Sequence, residues 1–232
     1  MTIRSIAASL CSSALILLLP LGAAASSEGS LVSCVEKSQR SLNDLSATFT
    51  QKTTIVSLRR SETGKGSLLM KFGGGRTKFR FDYTKPQQSI VTDGTTLWYH
   101  QPGLRQVVRT RLERFLSGEN SLAMSYLGGL RNLSADFEPR RGKDDAEGNP
   151  RLILTPRKKG EILKELELTL SREACDGISS GTVVRFPILR SVIIDQGGNR
   201  TEMTYQKPVV NQGVGDSRFT FSPPPGTTVI DQ

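Results

Sequence analysis

The stretch RTKFRFDYTKPQQSIVTDGTTLWYHQP, residues 76–102, contains the clearest pattern in the chain. Phe79, Phe81 and Tyr83 alternate there with Lys, Arg and Asp residues. Because the side chains of a strand point alternately to its two faces, this period of two places three aromatic rings on one face and three charges on the other. The stretch therefore predicts a strand with one aromatic face.

Two turn signals divide the rest of this stretch into further strands. Pro86 ends the aromatic strand, since proline has no N–H to donate to a neighbouring strand. Asp93-Gly94 is a strong hairpin signal, and the run that follows it carries Trp98, the only tryptophan. Together they predict a three-stranded antiparallel meander. An ordinary sheet packed on its own core explains the aromatic face as well as a binding surface does.

The remaining segments predict helices before and between many strands. Four apolar residues recur at near-helical spacing between Ser30 and Leu45, which indicates an amphipathic helix. Two short helices interrupted by glycines are expected between Arg111 and Leu133. Further strands are predicted at 47–56, 66–72, 106–110, 135–140, 151–156, 163–171, 183–195 and 201–207. This order of elements favours an α+β fold, an incomplete antiparallel β-barrel with helices added.

The first 25 residues have the features of a secretory signal peptide. Arg4 gives a positive start, an apolar run extends from Ala14 to Leu21, and cleavage is expected after Ala25. A lipid anchor at Cys11 is not expected, because this cysteine lies among apolar leader residues. We predict that residues 26–232 form a single exported domain. The formal charge of the whole chain is +9, from 31 basic and 22 acidic residues, and its basic residues are scattered over strands, which argues against nucleic acid as a partner.

Loss of this leader leaves two cysteines, Cys34 and Cys175. An even pair in an oxidising compartment predicts a disulfide, and two isolated thiols are the alternative. The bond would tie the N-terminal helix to a strand–turn region far along the chain.

The sequence contains weak signals for catalysis. Gly177-Ile178-Ser179-Ser180-Gly181 matches the serine hydrolase pattern G-x-S-x-G, but strand-like residues follow it and the only histidine, His100, precedes it. We interpret it as a Ser/Gly hairpin and expect substitution of Ser179 to be neutral. Asp144-Asp145 is interpreted as part of a solvated acidic turn, and no cluster of soft metal ligands is found. The chain is therefore predicted to bind rather than to catalyse, without a cofactor.

Three stretches of the chain resemble segments of one protein family, and they occur in the same order as in that family. Phe79-Arg80-Phe81 and Ile90–Tyr99 are similar to the central signature of the LolA family of periplasmic outer-membrane lipoprotein carriers. Ser46–Lys52 resembles the family's first strand, and Phe219–Val229 resembles its C-terminal end. The resemblance implies an unclosed antiparallel half-barrel covered by an N-terminal helix and a short helical lid.

The resemblance also implies a function and partners. The protein would bind the acyl chains of outer-membrane lipoproteins, receive them from an inner-membrane ABC exporter and pass them to an outer-membrane acceptor, as a periplasmic monomer. Two alternatives are open: a carrier of another lipid, such as a phospholipid or glycolipid, and a sensor or interaction module without transport.

The resemblance assigns Phe79, Phe81 and Trp98 to the lipid-binding cavity. Alternation and helical spacing alone add further candidates, for which core packing is an equally good explanation: Leu68, Met70, Leu122, Met124 and Leu127. Carriers of this family hold the lid with an arginine beside a proline. Here the corresponding segment contains glycines and no proline, and Arg76 is the nearest candidate for the lid latch.

Overall fold

The computed structural model describes residues 27–73, 76–116, 130–158, 162–181 and 185–232. Most of these residues belong to twelve strands of one sheet. The strands, numbered in chain order, are β1 (Asp44–Ile55), β2 (Arg60–Lys71), β3 (Lys78–Lys85), β4 (Gln87–Thr92), β5 (Thr96–Gln101), β6 (Gln106–Arg111), β7 (Phe137–Gly142), β8 (Arg151–Pro156), β9 (Leu163–Leu170), β10 (Ile188–Asp195), β11 (Arg200–Val210) and β12 (Thr228–Asp231).

Four α-helices and three short 3₁₀ turns accompany the described strands. The helices are α1 (Glu28–Ser41), α2 (Leu112–Leu116), α3 (Leu133–Asp136) and α4 (Arg172–Ser179), and the 3₁₀ turns are Pro102–Leu104, Leu130–Asn132 and Asp216–Phe219. Within the described ranges, no helix has the length and apolar character needed to cross a membrane.

The strands follow the order β12-β6-β5-β4-β3-β2-β1-β11-β10-β9-β8-β7. Neighbouring strands are antiparallel, except that β12 runs parallel to β6. In the described part of the chain, β12 and β7 are the two edges and do not pair with each other, so the barrel is unclosed. The predicted α+β half-barrel is therefore confirmed.

Helix α1 covers one face of this sheet, which we call the inner face. The Ser27 hydroxyl caps its first turn by accepting the N–H of Ser30 at 3.2 Å. Leu31 and Val35 are 1% and 0% exposed and join the same apolar core as the strand side chains. The helix ends at Ser41 because Leu42 is already extended, four residues before the predicted end.

The C-terminal segment covers part of the opposite, outer face. Phe219 is fully buried in a 3₁₀ turn that packs on β3. Asp216 accepts hydrogen bonds from Lys71 and Lys78, and these bonds lower the pKa of its carboxyl to about 2. The segment ends in β12, a strand that the sequence did not predict, because its four residues are all exposed and show no alternation.

A buried carboxylate fixes the start of this segment. Asp44 is 3% exposed, and its two oxygens accept the N–H groups of Gln212, Gly213 and Val214 at 2.8–3.2 Å. Such bonds satisfy a buried charge that would otherwise be costly. Asp44 thereby joins the first strand to the chain that follows β11.

One predicted element is wrong, and the start of another is displaced. Residues 177–181, interpreted as a Ser/Gly hairpin, begin inside helix α4 and contain its last three residues. The first turn of this helix is capped by the Ser171 hydroxyl, which accepts the N–H of Ala174 at 3.2 Å. The strand predicted from residue 135 begins only at Phe137, since helix α3 occupies Leu133–Asp136. In both places a short helix packs beside α1.

Candidate functional site

The inner face of β3 carries the aromatic cluster. Phe79, Phe81 and Tyr83 are 3%, 0% and 7% exposed, as the alternation predicts. Phe81 lies edge-on to Phe79 and to Phe49 of β1, with ring centroids 5.7 and 5.6 Å apart, and Phe49 meets Tyr83 at 4.9 Å. Edge-to-face contacts of this kind stabilise the cluster beyond the burial of its area.

Strand β2 supplies aliphatic side chains next to these rings. Leu68 pairs with Phe81 and Met70 pairs with Phe79 across the ladder, and paired residues share one face of a sheet. Both β2 side chains are buried. The structure thus brings together four of the predicted cavity residues, Leu68, Met70, Phe79 and Phe81, on the inner face. The other predicted lining residues, Leu122, Met124 and Leu127, lie outside the described part of the chain.

Trp98 does not belong to this face. It pairs with Val91, and Val91 pairs with Arg80. Since Arg80 alternates with Phe79 and Phe81 along β3, the register puts Trp98 on the outer face. Its expected place in the cavity is therefore corrected, and Leu97 and Tyr99 occupy the inner positions of β5.

Polar side chains continue the inner face beyond the aromatic cluster. The Tyr83 hydroxyl donates to Gln51 Oε1 at 2.7 Å, and the Tyr99 hydroxyl donates to Gln88 Oε1 at 2.8 Å. Burial raises the pKa of both Tyr83 and Tyr99, so both hydroxyls are neutral donors at neutral pH. The inner face therefore grades from apolar rings to neutral amides and hydroxyls. The sequence analysis did not identify this polar part of the inner face, although strand alternation places Gln51 and Gln88 at inward positions.

A second cluster that the sequence analysis missed joins α1 to the chain before β7. Glu36, 8% exposed, accepts the N–H and hydroxyl of Ser134 at 2.9 and 2.8 Å and the guanidinium of Arg40 at 2.8 Å. Arg40 also donates to the carbonyl of Arg131 at 3.1 Å, and the Arg131 guanidinium lies 5.8 Å from the centre of the Phe72 ring. Burial opposes ionisation of Glu36, but the hydrogen bonds from Ser134 and Arg40 outweigh it and lower its pKa.

The ionised state of Glu36 stabilises the fold, and this predicts a pH dependence. Because its pKa is lower in the folded than in the unfolded chain, the contribution is present above the unfolded pKa of about 4.5 and is lost as pH falls through the folded pKa. We expect Glu36→Gln to lower the free energy of unfolding by about 1–3 kcal/mol at pH 7. Urea unfolding at several pH values should show this difference shrinking below pH 4.5. A difference that stays constant with pH would contradict the role of the charge.

Arg76 lies at the turn between β4 and β5. Its Nη1 donates to the Thr95 hydroxyl at 2.5 Å, and its Cβ lies against Gly94, whose φ of +93° suits glycine. The carbonyl of Thr95 in turn accepts the N–H of Leu112, the first residue of α2, at 2.8 Å. Thr95 therefore connects Arg76 to the start of the segment that follows β6.

A disulfide joins Cys34 of α1 to Cys175 of α4, 141 residues apart in the chain. Both cysteines are buried, at 1% and 6% exposure. The bond ties helix to helix rather than helix to strand–turn, since residues 172–179 are helical. It fixes α1 over the inner face of the sheet.

The weak catalytic signals remain apart from this site. Ser179 ends helix α4, whereas His100 lies on β5, where its ring is 5.4 Å from Phe221 of the C-terminal segment. Asp144 pairs with Arg141 and Arg172, and Asp145 accepts bonds within its own turn. Among the described residues, no three His, Cys, Asp or Glu side chains are grouped so as to hold a metal ion.

Three open clefts are lined mainly by polar residues. The first, about 400 Å³, lies along β1, β2 and β11 and includes Lys52, Lys65 and Glu202. The others, about 280 and 260 Å³, lie on the outer face of β1–β3 and beside His100. None of these three contains the aromatic cluster, whose side chains belong to the same buried apolar core as those of α1.

Comparisons with known proteins identify the family to which the chain belongs. The family described as outer membrane lipoprotein carrier protein LolA matches residues 40–222. An outer-membrane lipoprotein carrier protein of Salmonella paratyphi A is 30% identical over 203 residues, which are 87% of this chain and 88% of that protein. Its counterpart from Salmonella typhimurium is 31% identical over 188 residues, 80% of each chain.

The fold recurs at low sequence identity. The crystal structure of an uncharacterised conserved protein from Thermus thermophilus superposes with a TM-score of 0.51, at 13% identity, over 88% of this chain and 98% of that one. This likeness concerns the fold alone. The match over residues 40–222 and the 30% identity to a full-length relative are sufficient to assign the family, and the chain belongs to the LolA family.

Proposed function

We propose that the protein is a periplasmic carrier that binds the acyl chains of lipoproteins on the inner face of its sheet. It would shuttle them from an inner-membrane ABC exporter to an outer-membrane acceptor. The observation that carries this proposal is the buried apolar layer of Leu68, Met70, Phe79 and Phe81, which shares one core with α1, in a chain that belongs to the LolA family. Exposure of an acyl chain to water costs about 0.8 kcal/mol per CH₂, so a long chain needs an apolar enclosure of this kind.

Entry of an acyl chain requires this face to open, since its side chains are packed against each other. Helix α1 is tied to α4 by the disulfide and to α3 through Glu36 and Ser134. We therefore propose that α1 stays in place and that the cover opens on the side of the segment after β6, the lid that the family resemblance implies. Cargo would then lie between β2, β3 and α1.

Arg76 is proposed as the latch of this lid, because Thr95 links it to the first residue of α2. Loss of one such hydrogen bond costs about 1 kcal/mol, so Arg76→Leu is expected to increase the open population roughly fivefold. The measurement is the exchange rate of a fluorescent acyl probe. Thr95→Val, which removes only the acceptor hydroxyl, should act in the same direction. Exchange at the wild-type rate in Arg76→Leu would show that Arg76 is not the latch.

The other parts of the proposal follow from the leader and the fold. Residues 1–25 would direct export and be removed, and the disulfide suits an oxidising compartment. The protein would act without catalysis or cofactor, as a monomer, because binding and release of acyl chains need only a closed and an open state.

A release assay tests this function. The exported protein is added to spheroplasts that synthesise an outer-membrane lipoprotein, and the supernatant is analysed for a one-to-one complex. Wild type should release the lipoprotein, and Phe79→Glu should release at least tenfold less, since a buried charge excludes the acyl chain. Thr84→Glu places the same charge on an exposed position of β3 and should release normally.

The assay also separates the alternatives. Phospholipid in the recovered protein, with no lipoprotein released, would replace the proposal by a carrier of another lipid. Protein recovered without either ligand would support a sensor or interaction module. Phe79→Leu keeps the site apolar and should release normally. The thermal unfolding curve of Phe79→Glu shows whether that variant is folded, and only a folded Phe79→Glu variant attributes its loss of release to the charge.

A further inference from the structure

Two turns of the sheet share one construction. Val56–Arg59 joins β1 to β2, and Pro102–Arg105 joins β5 to β6. Each ends in a leucine followed by an arginine, and the arginines have left-handed φ values of 47° and 48°. In each turn the arginine N–H donates to the carbonyl three residues earlier, Val56 at 3.1 Å and Pro102 at 3.0 Å. We call these turns the two Leu-Arg tips.

The apolar side chains of both tips are unusually exposed. Leu58 and Leu104 are each 66% exposed, and Val56 is 53% exposed. Isolated apolar residues on a surface are common and need no explanation. Here the three largest exposures among the described large apolar side chains all fall within the two tips. This concentration points to a surface that is covered by something else in use.

Both tips lie at the same end of the sheet. Strands β1 to β5 are neighbours and alternate in direction, so β1 and β5 run the same way and their following turns share one end. The two turns are four strand positions apart, which is about 19 Å along the sheet. The ladder also offsets the tips along the strands, because His100 is level with Thr48, so the first tip lies about 20 Å further along the strand direction than the second. A flat partner that contacts both tips is therefore inclined to the strands.

The first tip is fixed in its projecting position. The N–H of Val56 donates to Asn199 Oδ1 at 2.9 Å, in the neighbouring β10–β11 turn. Asn199 is itself held by Asp195, which accepts its N–H and its side-chain amide, each at 2.8 Å. The β10–β11 turn therefore holds the first tip in place through hydrogen bonds, and Leu58 is exposed to solvent on this fixed turn.

Each exposed leucine is followed in the chain by an exposed arginine. Arg59 and Arg105 are exposed in the tips, and Lys85 is exposed at the end of β3, between them in the sheet. Arg60 pairs with Glu62 at 3.3 Å. Leucines flanked by cations match the chemistry of an anionic bilayer surface, where aliphatic side chains enter the acyl boundary and arginines bind phosphate.

We propose that this end of the sheet docks on anionic phospholipid membranes, with Leu58 and Leu104 inserted and Arg59 and Arg105 on the lipid phosphates. This inference goes beyond the carrier function, because it assigns a membrane contact to the two Leu-Arg tips and not to the inner face. It would hold the protein against a bilayer surface while cargo enters or leaves.

Vesicle flotation tests the docking surface in the absence of lipoprotein. The exported protein is mixed with vesicles of phosphatidylglycerol and phosphatidylethanolamine, or of phosphatidylcholine alone. Wild type should float with the anionic vesicles at low salt and dissociate at high salt, since screening weakens the arginine–phosphate contacts. The double variant Leu58→Gln, Leu104→Gln should bind at least tenfold more weakly. Arg59→Asn with Arg105→Asn, which keeps a residue that tolerates positive φ, should lose the preference for anionic vesicles.

Val209 provides a matched control, because it is 45% exposed near the opposite end of β11. Val209→Gln should bind vesicles like wild type. The proposal is overturned if wild type does not float with anionic vesicles, or if the leucine variant floats equally well. It is also overturned if Val209→Gln weakens binding as much as the leucine substitutions. The release assay is independent of these results, because its cargo binds the inner face.

Discussion

Replacement of Cys34 and Cys175 together by alanine is expected to lower the free energy of unfolding by about 3–5 kcal/mol. The disulfide closes a loop with a sequence separation of 141 residues, and a loop of this length removes much conformational entropy from the unfolded chain. For a domain of this size the loss corresponds to a fall in Tm of roughly 10 °C. It also frees α1, the main helical cover of the inner face.

Thermal unfolding with and without dithiothreitol measures this effect. Reductant should lower the Tm of wild type towards that of the double-alanine variant, and should leave the Tm of the variant unchanged. Each single-alanine variant should resemble the double variant, since either change removes the bond. A double variant as stable as wild type would mean that packing of α1 against α4 alone holds the two helices together.

Gly66→Ala should destabilise the sheet by about 3 kcal/mol, because its Cβ has no space. A Cβ at Gly66 would lie 2.1 Å from the Asp82 carbonyl oxygen and 2.9 Å from Tyr83 Cα, both backbone atoms of β3. The strands β2 and β3 would have to separate where the ladder already contains a register shift, between Lys65 and Gly66. This disturbs the support of the aromatic cluster.

Gly64→Ala is the matched control two residues away on the same face of β2. Its Cβ would meet ring atoms of Tyr83 at 3.2 Å, and a ring can shift by a few tenths of an ångström. We expect a loss below about 1 kcal/mol, measured as the urea midpoint of both variants. Equal midpoints for the two alanine variants would contradict the close approach of β2 and β3 at Gly66.

Most of the sheet could be predicted from local patterns. The alternation of Phe79, Phe81 and Tyr83 and the Asp93-Gly94 turn depend on backbone geometry within a few residues, and the structure confirms both. Helix α4 could also have been found, because Ser171 is a good N-cap and Glu173 stands in the first turn, but the Ser/Gly-rich residues were interpreted as a hairpin. β12 could not be found, since its pairing with β6 depends on a distant strand.

The residues around Trp98 do not determine on which face of the sheet its side chain lies. Its side is set by the pairing register across the β4–β5 turn, and a shift of one residue would reverse it. Trp98 is half-buried on the outer face because other parts of the chain cover this face. They also cover Val91, which is 0% exposed on the same face. The clusters around Glu36 and Asp44 join residues 98 and about 168 positions apart, so local spacing does not reveal them.

Site-directed photocrosslinking tests the central claim, that acyl chains of cargo lie on the inner face of β2 and β3. A photoreactive phenylalanine analogue is placed at Phe81 or at Trp98 in cells that make an acylated lipoprotein, and adducts are identified after irradiation. We expect a lipoprotein adduct from position 81, attached through the acyl chain, and none from position 98. An adduct from position 98 with none from position 81 would place the cargo on the outer face and contradict binding on the inner face.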